Sequence, residues 1–215
     1  FFHGRVISPF GRVSGVGKNH HGHQTADILQ QVAPDATIYT LSNSGSYGAG
    51  KASGRFMEES IPFMEDHGIH LVNASLGGND NNILKARIED AQLHGVTFVT
   101  SAGNSAEKGA GGYARSGAWI AVGAVHLSGK GDILHAGYSS IGETVDFTQF
   151  SNLYVHDARP GYEGRTFPVQ GTSFSSPALC AMLALVQQLF VEKVGRTLTQ
   201  DELYEFMIDH SIDLW

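Results

Sequence analysis

The chain has 215 residues and a net charge of −7, with 41% hydrophobic and 16% charged residues. That is long enough for one ordinary domain with a sizeable core, and too apolar for a disordered chain. The acidic balance argues against nucleic acid or an anionic membrane as the main partner, and no apolar run in the sequence reaches the ~18–20 residues needed to span a bilayer.

In chain order, Phe1-Phe2-His3-Gly4-Arg5 is neither a basic leader nor followed by an apolar stretch, so no secretory signal is read there. His21-Gly22-His23-Gln24-Thr25-Ala26 opens a helix. Residues 36–41 read as a strand, 56–66 as a helix despite Pro62, and 69–74 as a strand. Residues 82–94 suit a helix, 96–101 a strand and 119–125 another. This β-α-β-α order predicts an α/β fold with a parallel central sheet flanked by helices, its active groups at the carboxyl ends of the strands. Asn73-Ala74-Ser75 and Thr100-Ser101 lie at such ends. The glycine-rich pieces 42–54 and 109–117 read as surface loops around the site, and 178–190 as a core helix. With no internal repeat and no dividing linker, residues 1–215 are expected to form a single domain. Cys180 is the only cysteine, which excludes an internal disulfide; in the core helix it packs as a small hydrophobe.

The stretch richest in chemistry is Gly171-Thr172-Ser173-Phe174-Ser175-Ser176-Pro177. A serine between a glycine turn and a buried helix lies at the positive end of the helix dipole, beside backbone N–H groups that have no helical partner. Those donors are what a developing oxyanion requires. Pro177 is compatible with a first helical turn. The same pattern also describes an ordinary N-cap. Asn104, after Gly103, is read either as a turn residue tolerant of left-handed backbone or as an amide donor. His20, His21 and His23 invite a metal reading, but zinc asks for about four ligands and no cysteine pair or H-E-x-x-H accompanies them. No metal and no cofactor is expected.

Together, His21-Gly22-His23-Gln24-Thr25-Ala26, Ser101-Ala102-Gly103-Asn104 and Gly171-Thr172-Ser173 resemble, in order, the three signature blocks of the subtilisin-like serine proteases (subtilases). Val32-Ala33-Pro34-Asp35-Ala36, Asn73-Ala74-Ser75-Leu76-Gly77-Gly78 and Ile120-Ala121-Val122-Gly123-Ala124-Val125 are similar to further blocks of that family, so the likeness runs from about residue 20 to 190. His23 and Gln24 stand where the family usually has Thr and His, and Asp27 where it has glycine. The resemblance implies a three-layer fold and a serine endopeptidase acting on polypeptides. Ser173 would be the nucleophile, His21 the general base, and Asn104 would hold the oxyanion with the Ser173 N–H. It implies that peptide adds as a strand along Ser75-Leu76-Gly77, with part of 46–50 as the other edge. Ser75, Leu76, Gly77, Ser101, Ala102 and Gly103 would line the pocket for the residue before the scissile bond, with Gly111 and Gly112 near its floor. No charge lies in these segments, which favours a large apolar residue there. The family's common calcium loop has no room between Ala26 and Val32. A secreted or cell-envelope setting is implied by likeness alone.

One member of the expected triad is missing. The family's aspartate comes first, after an apolar strand, yet no aspartate precedes His21; the first is Asp27, six residues into the histidine helix. The family also usually continues beyond Asp213-Leu214-Trp215. A second chain or a cleaved N-terminal segment would supply the acid. Otherwise the 215 residues are part of a longer protease, or the fold serves as a catalytically silent peptide-binding module.

Overall fold

The computed structural model of the chain describes residues 6–7, 21–41, 54–78, 81–157, 159 and 161–213. Its elements, in order, are β1 (Val6–Ile7), α1 (His21–Val32), β2 (Ile38–Tyr39), α2 (Gly54–Asp66), β3 (Leu71–Ala74), α3 (Asn82–Leu93) and β4 (Thr97–Ser101). A 3-10 turn (Gly112–Ser116) follows, then β5 (Ile120–Leu127), β6 (Ile133–His135), β7 (Phe147–Phe150), β8 (Leu153–His156), β9 (Thr166–Val169), α4 (Thr172–Val194) and α5 (Gln200–His210).

β3, β4, β5 and β7 pair side by side in parallel, and β6 folds back antiparallel on the end of β5. β4 reads Thr97-Phe98-Val99-Thr100-Ser101 and is buried at every position, the mark of a parallel strand covered on both faces. Its side chains alternate between two cores, following the period of two. Phe98 joins Val72, Ile88 and Trp119 on the side of α2 and α3, whereas Val99 joins Leu179, Leu183 and Leu203 on the side of α4 and α5. The architecture is therefore a three-layer α/β fold. β1 and β2 stand apart as a two-stranded parallel pair, Val6 opposite Ile38, and β8 and β9 form an antiparallel hairpin.

Local chemistry sets the helix ends. Asn81 caps α3 by accepting from the N–H groups of Ile83 and Leu84, both at 2.9 Å. Thr199 and Glu202 form a reciprocal capping box at α5. The next residue, Gln200, accepts from the Phe98 N–H at 2.9 Å and so ties α5 to the start of β4.

Three expectations need correction. α4 begins at Thr172, not near Ala178, so Pro177 lies in the second turn rather than the first. Having no N–H, Pro177 leaves the Ser173 carbonyl without its helical donor. The full helix, 23 residues long, is by length and composition apolar enough to cross a bilayer, which shorter apolar runs in the sequence concealed. It is packed instead against α1 and against β3, β4, β5 and β7, with more than half of the span buried. Residues 109–117 are not simply a surface loop: they contain the 3-10 turn, whose Tyr113 and Ala114 are buried, because Tyr113 stacks on Trp119 at 5.3 Å. The expected parallel central sheet is present in β3, β4, β5 and β7, with β6 added antiparallel on β5.

Cys180, inside α4, is 4% exposed, and burial pushes its thiol up to about 12. At pH 8 that lowers the thiolate fraction from about a quarter to roughly one in 10⁴. A colorimetric disulfide reagent is thus expected to react fully in denaturant and hardly at all with the native chain. Rapid native reaction would mean that α4 does not pack as described.

Candidate active site

The three chemistry-bearing segments converge at the carboxyl ends of the parallel strands. β3 runs on into Ser75-Leu76-Gly77 and β4 into Ala102-Gly103-Asn104, side by side because Ala74 pairs with Thr100 in register. α4 starts at the same level. Its Ser176 hydroxyl donates to the Asn73 Oδ1 at 2.5 Å, and its Thr172 hydroxyl accepts from the Gly103 N–H at 3.2 Å.

Asn104 is exposed, yet its orientation is set from one side. Its Oδ1 accepts from the Thr172 N–H and the Thr172 hydroxyl, both at 2.9 Å. With the carbonyl so engaged, the amide Nδ2 is left pointing away from Thr172. It lies by Gly171, where a β-carbon would come within 3.5 Å of it; Gly171 has φ +138, a backbone position that disfavours any side chain.

The first turn of α4 leaves one donor over. The Thr172 N–H goes to Asn104, and the N–H groups of Phe174 and Ser175 go to the Gly171 carbonyl at 2.9 and 3.4 Å. Among the described residues the Ser173 N–H alone of the four has no acceptor, at the positive end of a 23-residue helix. Ser173 itself is partly exposed, between buried Thr172 and Phe174.

His21 is the first residue of α1, which packs lengthwise on α4. Its ring lies 5.6 Å from that of Phe174, the neighbour of Ser173. Burial, by desolvating the imidazolium, lowers its pKa from the ordinary value and keeps the ring neutral. Among the described residues no carboxylate is bonded to it. Asp27, further along α1, is 5% exposed and engaged elsewhere: it accepts from the Gln31 amide at 2.7 Å and the His156 N–H at 2.8 Å, with the His156 Nδ1 at 3.0 Å. It fastens α1 to β8.

The proposed pocket walls differ in how free they are. The Ala102 carbonyl accepts from the Gly111 N–H at 2.8 Å and the Gly103 carbonyl from Ser140 at 2.9 Å, so that segment is held by the fold. Leu76 and Gly77 are exposed, while Ser75 is buried. Gly112 approaches the Gly77-Gly78 backbone so closely that a β-carbon there would lie 3.2 Å from the Gly78 nitrogen. The segment 46–50, proposed as the second peptide edge, and His20 lie outside the described residues.

Thr172 and Ser176 were given no role of their own from the sequence, and Asn73 was placed only by its position at the end of a strand. Thr172 had a signal, its place beside the serine, but its partner is 68 residues away and only the fold reveals it.

A cavity of about 520 Å³ is lined by Ile38 and Tyr39 of β2 and by Leu71, Val72 and Ala74 of β3. Cys180, Ala181 and Ala184 of α4 contribute to its wall.

Comparison with known proteins bears on the family and the fold. The chain is 31% identical over 161 residues to subtilisin DY of Bacillus licheniformis, covering 72% of this chain and 55% of that protein. It is 25% identical over 170 residues to a thermostable alkaline protease of Halalkalibacterium halodurans, covering 79% of this chain and 45% of that protein. The chain thus spans about half the length of these relatives. A cold-adapted subtilisin-like serine proteinase superposes with a TM-score of 0.76 at 22% identity, over 99% of this chain and 77% of that one. The model of the subtilase family matches residues 11–212, almost the whole chain, and the chain belongs to that family.

Proposed function

We propose that the chain is the peptidase core of a serine endopeptidase. Ser173 attacks the scissile carbonyl, His21 takes its proton and hands it to the leaving amine, and water then releases the acyl group by the same steps in reverse order. The Asn104 Nδ2 and the Ser173 N–H receive the oxyanion. The observation that supports this most is the pair of uncommitted donors beside one serine: an amide turned outward by Thr172, and the one free N–H of the α4 first turn. The substrate is polypeptide, taken along Ser75-Leu76-Gly77, with an uncharged, bulky residue in the pocket formed with Ser101, Ala102 and Gly103.

The acid that orients His21 comes, in this reading, from outside these residues: a second chain or a further segment of a longer polypeptide. It enters as an extended apolar strand between β2 and β3 and ends in aspartate beside His21. A cavity lined by one strand from each of two parallel pairs, β2 and β3, favours a strand as the occupant, through main-chain pairing.

A fluorophosphonate probe tests the dyad. Covalent label is expected on Ser173 by peptide mapping, and none in His21→Ala. A second reading, a silent peptide-binding module, is favoured by the lack of a carboxylate on His21 among the described residues. It predicts a chain that binds peptides and never takes the label.

A further inference from the structure

We infer that Asn73 is a positioning residue that sets the register between the peptide-binding edge and the nucleophile. The inference rests on the reading of Ser173 as nucleophile and of Ser75-Leu76-Gly77 as the peptide edge.

Three polar side chains form a short chain between these two parts. Ser176 follows Ser173 by three residues and shares its side of α4, since residues three apart on a helix are neighbours. It is wholly buried, and its hydroxyl donates to the Asn73 Oδ1 at 2.5 Å. That fixes which way the Asn73 amide faces. Its Nδ2 then donates to the Ser75 Oγ at 3.0 Å. Ser75 is 6% exposed and starts the segment whose next two residues, Leu76 and Gly77, face solvent. Asn73 thus links the nucleophile's helix to the root of the binding edge, accepting from Ser176 on one side and donating to Ser75 on the other.

An amide serves both partners as they stand: Ser176 donates to its oxygen, and Ser75 accepts from its nitrogen. An aspartate can accept from both hydroxyls once the Ser75 O–H turns toward it, whereas a leucine leaves both hydroxyls without this partner. Breaking the link at Ser75 frees the edge to shift along β3 while α4 stays in place. A peptide would still bind, but with its carbonyl off the line of attack, and a misplacement of about 1 Å can lower a rate by about 10²-fold.

The test compares two phosphonate probes on the wild-type chain, Asn73→Leu and Ser176→Ala. One is a small alkyl fluorophosphonate that does not reach the edge; the other carries a three-residue apolar peptide before the phosphorus. Labelling of Ser173 is followed against probe concentration, which separates the saturation constant from the limiting rate. For Asn73→Leu, the limiting rate with the peptidyl probe should fall by up to about 10²-fold. Its saturation constant should change little, and the small probe should react within a few-fold of wild type. Ser176→Ala, which loosens the link from the other end, should move the same selectivity in the same direction. Equal loss with both probes in both variants would mean general damage to the fold and overturn the inference, as would unchanged selectivity. Failure of the wild-type chain to take either probe would instead overturn the reading of Ser173 on which it rests.

Discussion

A peptide of about five apolar residues ending in aspartate, added in trans at saturating concentration, should speed acylation of Ser173 by as much as about 10⁴-fold. That factor is what loss of the orienting carboxylate removes in serine proteases of other folds, and the present chain starts without one bonded to His21 among the described residues. In the proposed reading the cavity supplies apolar walls from Ile38, Leu71, Val72 and Ala74, and Asn73, in the same lining and bonded to Ser176 of α4, marks the end nearest the nucleophile's helix. A pH profile adds a second reading of the same event. Desolvation lowers the His21 pKa, so the neutral base persists below about pH 6.5 and the acid limb of the rate lies below that value. A carboxylate arriving beside the ring favours the imidazolium and raises the pKa, so the acid limb must move to higher pH as the rate climbs. The same peptide with asparagine at its end is the control: it should bind equally and do neither. A peptide that binds, seen by fluorescence anisotropy, and leaves both the rate and the pH profile unchanged would remove the acid from the mechanism. One that fails to bind would remove the cavity as its site.

Much of the architecture was legible in the sequence because its signals are local. The apolar run Val96 to Ser101, the helical pattern of residues 82–94 and the apolar stripe of residues 178–190 are read within a few neighbours, and the structure has β4, α3 and α4 there. What escaped was set by tertiary contact. Residues 109–117 look like a loop by composition, but Tyr113 is drawn inward by Trp119, which no window of sequence displays. The start of α4 was placed late because Pro177 marks a first turn by preference, whereas packing on four strands carries the helix through it. The hairpin β8–β9 was passed over too: Pro168 interrupts β9, and its alternate residues are only half covered.

The candidate site divides in the same way. Ser173, His21 and Asn104 carry reactive groups inside glycine-marked turns, and the family resemblance adds order along the chain. Thr172, Asn73 and Ser176 carry no reaction of their own. Their meaning is a partner 68 or 103 residues away, so the sequence alone is silent about them.

Replacing Gly78 by alanine should destabilise the fold by about 3 kcal/mol, the upper end of what overpacking usually does. The added β-carbon would lie 2.1 Å from the Tyr113 Cζ and 2.5 Å from its Cε2, distances that nothing in a protein tolerates. One side must move. Tyr113 is fully buried and stacks on Trp119 at 5.3 Å, and Trp119 meets Phe98 edge-on at 5.1 Å, so a shift of the ring propagates into the core on the α2–α3 face. If the backbone yields instead, it carries Gly77 outward, and with it the proposed peptide edge. A urea titration measures the first route as a lower midpoint at unchanged slope. The peptidyl phosphonate measures the second as a slower limiting rate. Shortening the ring relieves the clash, so the double change Gly78→Ala with Tyr113→Leu should cost less than the two single changes added together. Strict additivity in that cycle, or a Gly78→Ala chain as stable as wild type, would mean that the turn around Gly112 does not press Tyr113 against the binding edge.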